Sequence, residues 1–148
     1  MTVVSNSSPL ISLARIGKLE LLAALFGEIA IPPEVHREVT VTGQALPGAS
    51  EIKRADWIRV TPLPLAPDAD LVGRCEGLGG GEAAAIYLGR ALNADLVLLD
   101  ERRARRVAAE VPLPIAGCLA VLETAFRRKR GHRSTWMLHR IASARNSI

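Results

Sequence analysis

Aromatic side chains are scarce in this chain: they make up 3% of its 148 residues. The core must therefore be built from Leu, Ile, Val and Ala, a composition that favours helices packed on a parallel sheet. Hydrophobic residues amount to 49% and charged residues to 23%, which excludes an intrinsically disordered chain. We expect one domain over residues 1–148, with a C-terminal helix at about residues 132–144.

Cysteine is also rare, since the chain has only Cys75 and Cys118. They show no zinc-ligand spacing, so we predict two buried or idle thiols in a reducing cytoplasm. No apolar run approaches the ~18 residues that a membrane helix needs. The N-terminus lacks a basic leader followed by an apolar signal core. These absences predict a cytoplasmic protein without membrane contact.

Positive charge is in excess, with a formal net charge of +4. One basic cluster comprises Arg102, Arg103, Arg105 and Arg106, and a second covers residues 127–133. Basic surfaces attract phosphate backbones, although most charge runs are only solvated helix faces. The two clusters make a nucleic-acid partner a hypothesis to be weighed with the other residues.

Strand-like and helix-like patterns alternate along the chain. Five aliphatic stretches have the character of buried strands: residues 2–6, 28–31, 57–60, 95–100 and 113–116. Helices are predicted at residues 9–16 (capped by Ser8), 19–26, 33–39, from 51, and at 82–92, 101–110, 117–126 and 134–144. Residues 42–50, 62–70 and 74–81 are predicted to be loops and turns. This alternation predicts an α/β fold with a parallel sheet of four or five strands, covered on both faces.

Four polar residues fall at strand ends or helix starts, where open parallel sheets gather their chemistry. They are Asn6, Glu38, Glu82 and Asp100. Three carboxylates and an amide in one cleft would need a cation, and Mg²⁺ or Mn²⁺ is the natural choice for oxygen ligands. Such an ion can activate water and neutralise a phosphate.

Each of these residues also has a purely structural interpretation. Asp100 could cap a helix, and Glu82 could interact with a helix dipole. Glu38 could pair with Arg37 or Lys18, and Asn6 could form a turn or a cap. The Gly79-Gly80-Gly81 run before Glu82 resembles a phosphate-binding loop, but it lacks the P-loop lysine and no strand immediately precedes it. A nucleotide-binding module is therefore the lowest-ranked hypothesis.

Four stretches in this order resemble the PIN-domain family. They are residues 3–17 (VVSNSSPLI followed by LARIG), Ile31-Pro32-x-x-Val35-x-x-Glu38-Val39, Leu78-Gly79-x-Gly81-Glu82-Ala83, and Leu98-Leu99-Asp100-Glu101-x-x-Ala104-Arg105 with Ile115-x-Gly117. Within the family, the chain is most similar to a branch of short prokaryotic proteins with Asn at the first acidic position. The resemblance covers roughly residues 2–127.

The resemblance implies a three-layer α/β/α fold and a Mg²⁺-dependent ribonuclease, similar to the VapC toxins of toxin–antitoxin pairs. It also implies a homodimer and a cognate antitoxin. The implied acidic site maps onto Asn6, Glu38, Glu82 and Asp100, with Glu101 as a neighbouring metal ligand. Ser8, or Ser7, matches the hydroxyl residue that follows the first acid.

Asn6 departs from the family pattern, in which Asp is usual, because an amide offers a metal an oxygen but no charge. Two hypotheses follow. The chain is a weak or conditional endoribonuclease that contacts RNA through Ser8, Arg102, Arg105 and Arg106. Alternatively, it is a catalytically degenerate PIN domain that binds RNA or a protein.

Overall fold

A five-stranded, all-parallel sheet forms the centre of the fold, with the strand order β3-β2-β1-β4-β5. The computed structural model describes residues 1–42, 48–100 and 102–131. The strands are β1 (Val3–Ser5), β2 (Ile29–Ile31), β3 (Ile58–Val60), β4 (Leu96–Leu98) and β5 (Ile115–Ala116). The five predicted strands and their parallel arrangement are thus confirmed, although each strand is shorter than its aliphatic run.

Eight α-helices lie in the described part of the chain. They are α1 (Ser7–Arg15), α2 (Glu20–Phe26), α3 (Pro33–Arg37), α4 (Ala49–Arg54), α5 (Ala69–Arg74), α6 (Gly80–Ala91), α7 (Arg102–Glu110) and α8 (Cys118–Lys129). A π-helical turn, Glu38–Thr42, continues directly from α3.

Successive strand residues point into two separate aliphatic cores, as the pleat of a strand requires. Val3 packs with residues of α1, α2, α4 and α8, whereas the next residue, Val4, packs with residues of α5, α6 and α7. In the same way, Leu98 lies in the core that contains Val3, and Leu99 lies in the core that contains Val4. Helices therefore cover both faces of the sheet, which confirms the predicted three-layer α/β/α architecture.

The pairing of β1 with β4 brings two of the predicted site residues to neighbouring strand ends. Ser5 lies opposite Leu98, and the backbone N–H of Asn6 donates to the Leu98 carbonyl at 3.0 Å. Asn6 follows β1 directly, and Asp100 follows β4 by one intervening residue. Both residues therefore stand at the carboxyl edge of the sheet, where parallel α/β proteins place their ligands.

Several predicted boundaries are wrong. α5 lies where a loop and a glycine-rich turn were predicted, and the side chain of Asp68 caps it by accepting from the Leu71 N–H at 2.8 Å. α6 begins at Gly80 rather than Glu82. α4 begins at Ala49, inside the predicted loop 42–50.

The Ser8 cap is also wrong, because α1 begins at Ser7 and its N-cap residue is Asn6, whose side chain makes no capping bond. Some predictions fall outside the described residues. They concern Glu101, the basic residues that follow Gly131, and the helix at residues 134–144. None of the helices in the described ranges has the length and hydrophobicity of a membrane-spanning segment.

Candidate functional site at the carboxyl edge of the sheet

The side chain of Asn6 is buried at the end of the central strand. The residue is 2% exposed, and its Oδ1 atom has no hydrogen-bond partner among the described residues. A buried amide oxygen without a partner is costly, since almost all such groups are satisfied by protein or water. The side chain of Asn6 therefore offers a carbonyl oxygen that can accept a hydrogen bond from a ligand or bind a cation.

Glu38 joins two helix starts to the segment that follows β2. Its Oε2 atom accepts a 2.5 Å hydrogen bond from the hydroxyl of Ser7, and its Oε1 atom accepts the backbone N–H of Gly81 at 3.0 Å. These contacts place the carboxylate between the first turn of α1, next to Asn6, and the first turn of α6. The alternative pairing of Glu38 with Arg37 or Lys18 does not occur in the part of the chain that the structure describes.

The glycine at position 81 is a spatial requirement of this contact. A Cβ atom there would overlap both carboxylate oxygens of Glu38 and would lie 2.7 Å from its Cδ atom. Gly81 therefore allows the carboxylate to reach the N-terminus of α6. Its N–H group already has an anionic acceptor, which weighs against the phosphate-binding interpretation of Gly79-Gly80-Gly81.

Glu82 turns back toward the start of its own helix. Its Oε2 atom accepts the backbone N–H of Gly79 at 2.9 Å, as in a capping box. Glu82 thus interacts with the N-terminus of its own helix, which is the structural role that the sequence offered as an alternative. The residue remains partly exposed at the same edge of the sheet as Glu38.

Asp100 caps a helix, but not the one that follows it in sequence. Its Oδ1 atom accepts the backbone N–H of Cys118 at 2.9 Å, at the start of α8. A side-chain hydrogen bond between the Cys118 thiol and the Asp100 carboxylate adds to this contact. The thiol of Cys118 donates to the Pro9 carbonyl at 3.4 Å, which connects the starts of α8 and α1.

The Cys118 thiol is held in its protonated form by this environment. Burial raises its pKa to about 12, and the negative charge of Asp100 contributes in the same direction. The other cysteine, Cys75, is buried and its pKa is also raised by burial. Both thiols are free, and only Cys75 of the two is fully buried, so their lack of a chemical role stays a prediction.

Arg105 reaches this edge of the sheet from α7. Its Nε atom donates to the Leu99 carbonyl at 2.9 Å. A Cβ atom on Gly117 would overlap an Nη atom of Arg105 and would lie 2.8 Å from Oδ1 of Asp100. The guanidinium and the carboxylate therefore face the same small space beside Gly117.

The other predicted contact residues are less constrained. Arg102 and Arg106 are exposed on α7, and Ser8 is half-buried in the first turn of α1. The described part of the chain contains no group of three or more His, Cys, Asp or Glu side chains that could hold a metal ion. The assignment of metal ligands, including Glu101, therefore stays a prediction.

Sequence spacing alone does not predict the contacts of Ser7, Gly81, Gly117 and Cys118. Ser7 and the two glycines belong to the stretches that resemble PIN domains, and that resemblance is their only signal. The backbone N–H groups that bind the carboxylates carry no sequence signal, because every residue except proline supplies one.

Comparison with known protein families agrees with this architecture. The family model described as DUF3368, a PIN domain, matches residues 2–144. The comparison with curated proteins gave no match. The match spans nearly the whole chain, and a PIN domain is a nuclease-type fold with the α/β architecture described above. The chain belongs to the PIN-domain family DUF3368.

Proposed function

We propose that this protein is a metal-dependent endoribonuclease of the PIN type that hydrolyses RNA phosphodiester bonds. The observation that carries the proposal is the buried Oδ1 atom of Asn6, which has no partner in the described structure. It lies next in sequence to Ser7, which binds Glu38, and its backbone pairs with the strand that leads to Asp100. An oxygen-binding cation would satisfy this otherwise costly atom.

The residues of the edge are of the type that Mg²⁺ or Mn²⁺ prefers. Asn6, Glu38 and Asp100 would hold the ion, with Glu82 and Glu101 acting directly or through water, since Mg²⁺ keeps several waters in protein sites. When bound, the ion would supply an activated water and neutralise charge on the scissile phosphate. Ser7 and Gly81 would hold the Glu38 carboxylate in place, and Cys118 would do the same for Asp100.

The basic face of α7 would contact the RNA. Arg102 and Arg106 are exposed and follow Asp100 closely in sequence, so they can bind phosphates that flank the cleaved bond. Ser8, in the first turn of α1, would approach the same strand. By analogy with family members that act as toxins, we further propose a cytoplasmic homodimer controlled by a cognate antitoxin.

The test is an RNase assay on a long, weakly structured RNA with Mn²⁺ or Mg²⁺. We expect the wild type to cleave and EDTA to abolish cleavage. Asp100→Asn keeps an oxygen acceptor for the Cys118 N–H but removes the charge, and it should lower the rate at least about a hundredfold. Asp56→Asn, an exposed residue just before β3, is the matched control. Cleavage that survives both Asp100→Asn and EDTA would count against the proposal.

A second candidate function is a degenerate PIN domain that binds RNA or protein without cutting. The observation that favours it is that Glu38, Glu82 and Asp100 each already accept a backbone N–H, so all three have structural roles. In that case the wild type would bind RNA without cleaving it, and Asn6→Asp should create cleavage. Equal cleavage by wild type and Asn6→Asp would exclude this alternative.

A further inference from the structure

Arg105 differs from Arg102 and Arg106 of the same helix because its guanidinium is hydrogen-bonded to the sheet. The Nε atom donates to the Leu99 carbonyl, directly before Asp100. This bond fixes the position of the charged group, although the residue as a whole is exposed on the helix. Arg102 and Arg106 have no such bond among the described residues.

The space beside Gly117 shows how close this fixed charge comes to Asp100. One hypothetical methyl group at Gly117 would collide with an Nη atom of Arg105 and with Oδ1 of Asp100. The two side chains thus converge on the start of α8, where the glycine leaves room for both. Arg105 and Asp100 are not among the ion pairs of the described structure, so the guanidinium is a neighbouring charge and not a direct partner of the carboxylate.

We propose that Arg105 is a positioning residue that sets, and weakens, the affinity of Asp100 for a divalent ion. The inference rests on the proposed metal site and adds a specific determinant to it. Asn6 already lacks the charge of an acid, and Arg105 adds a positive charge beside Asp100. Without RNA, this edge therefore binds Mg²⁺ or Mn²⁺ weakly, and the phosphate of a bound RNA strand supplies the missing negative charge.

Binding of metal and of RNA would then be coupled, and such coupling is reciprocal. RNA would raise the affinity for the ion, and the ion would raise the affinity for RNA. A nuclease of this kind binds little metal in the absence of RNA. Its metal site is filled only when RNA is bound. The fixed guanidinium of Arg105 is the physical basis of this coupling, because its positive charge repels the ion until an RNA phosphate is bound.

The direct test is Mn²⁺ binding to metal-free protein, measured by calorimetry or by the electron paramagnetic resonance of free Mn²⁺. Arg105→Gln removes the charge and retains a polar side chain. One unit charge a few ångströms from a divalent ion should change its binding at least about tenfold, so we expect about tenfold tighter Mn²⁺ binding. Arg105→Lys keeps the charge and should stay within about threefold of the wild type.

Arg106→Gln is the matched control, because it removes the same net charge from an exposed neighbour on the same helix. If Arg105→Gln and Arg106→Gln bind Mn²⁺ equally, the inference fails, whereas the proposed function stands provided that Asp100→Asn weakens binding. If neither the wild type nor Arg105→Gln binds millimolar Mn²⁺, both the inference and the metal site are overturned. A purely structural role for Arg105 would lower thermal stability without tightening metal binding.

Discussion

The hydroxyl of Ser7 donates a 2.5 Å hydrogen bond to the carboxylate of Glu38, across 31 positions of sequence. The other oxygen of the same carboxylate accepts the Gly81 N–H at 3.0 Å. One carboxylate thus ties the first turns of α1 and α6 to the π-helical turn after α3. These three elements define one side of the candidate site, so their mutual position depends on Glu38.

Ser7→Ala should destabilise the protein by about 1.5–3 kcal/mol, because Ser7 is buried and its partner is charged. The loss should appear as a lower urea midpoint with an unchanged slope. Ser8→Ala is the control, since Ser8 is the next residue of the same helix and makes no side-chain hydrogen bond in the described structure. Equal midpoints for the two variants would contradict the structural role of the Ser7 hydroxyl.

Gly81→Ala and Gly80→Ala should have opposite effects on stability. Both positions lie in α6, where Ala is favoured over Gly by about 1 kcal/mol. A methyl group at Gly80 meets open space, so Gly80→Ala should be stabilising. At Gly81 the methyl group would displace the Glu38 carboxylate from both of its donors, so Gly81→Ala should be destabilising by about 1–3 kcal/mol. Thermal or urea unfolding of the pair measures this difference; stabilisation by both variants would argue against a fixed Glu38.

The sheet could be predicted because its signal is local. Leu96 to Leu99 form an unbroken aliphatic run, and the structure buries its alternate residues in the two cores. α5 was missed for the opposite reason. It has only six residues, it follows a proline-rich segment, and its main signal is the short-range cap from Asp68 to Leu71. A helix this short is stabilised mainly by packing, which here is the burial of Leu71 and Cys75 in the core that contains α6 and α7.

The candidate site was predictable as a set of strand-end residues but not as a set of contacts. Asn6 and Asp100 could be assigned to the carboxyl edge from strand patterns alone. That Asp100 would bind the start of α8, rather than α7, depends on the absence of a side chain at Gly117 and on the approach of two distant segments. Such tertiary approaches are not encoded in any local spacing.

Asn6→Asp should make the stability of the protein depend on metal. An ionised carboxylate at a position that is 2% exposed, at the same edge as Glu38 and Asp100, is opposed by burial and by like charges. We expect the metal-free variant to lose about 1–3 kcal/mol of unfolding free energy. Millimolar Mn²⁺ should raise its melting temperature more than that of the wild type, because the added charge tightens ion binding to the native state.

Asn93→Asp is the control for this substitution, because Asn93 is exposed in the turn before β4, away from the carboxyl edge of the sheet. Its melting temperature should respond to Mn²⁺ as the wild type does. Differential scanning fluorimetry with EDTA and with Mn²⁺ measures all three proteins in parallel. If Mn²⁺ does not raise the melting temperature of Asn6→Asp, the buried amide of Asn6 is no longer evidence for a metal site.

The Cys118 thiol should make the fold sensitive to alkaline pH. Its pKa in the folded protein is raised from an ordinary value of 9.0 to about 12, first by burial and then by the charge of Asp100. The native state therefore holds the proton more tightly than the unfolded chain. This contribution to stability is complete below pH 9 and is lost as the pH rises toward about 12. Cys118→Ser should flatten the pH dependence of urea unfolding in this window.

The same linkage predicts thiol reactivity, measured on a Cys75→Ala background so that only Cys118 is observed. Asp100→Asn removes a charge that disfavours the thiolate, so it should lower the Cys118 pKa and accelerate alkylation by iodoacetamide at mildly alkaline pH. Arg105→Gln should slow alkylation, because the positive charge of Arg105 acts in the opposite direction. Asp56 precedes β3 and Cys118 follows β5, and these strands form opposite edges of the sheet. Asp56→Asn should therefore leave the rate of alkylation unchanged. Opposite shifts in the two site variants would verify that Asp100, Arg105 and Cys118 share one electrostatic environment, whereas equal rates in all four proteins would refute it.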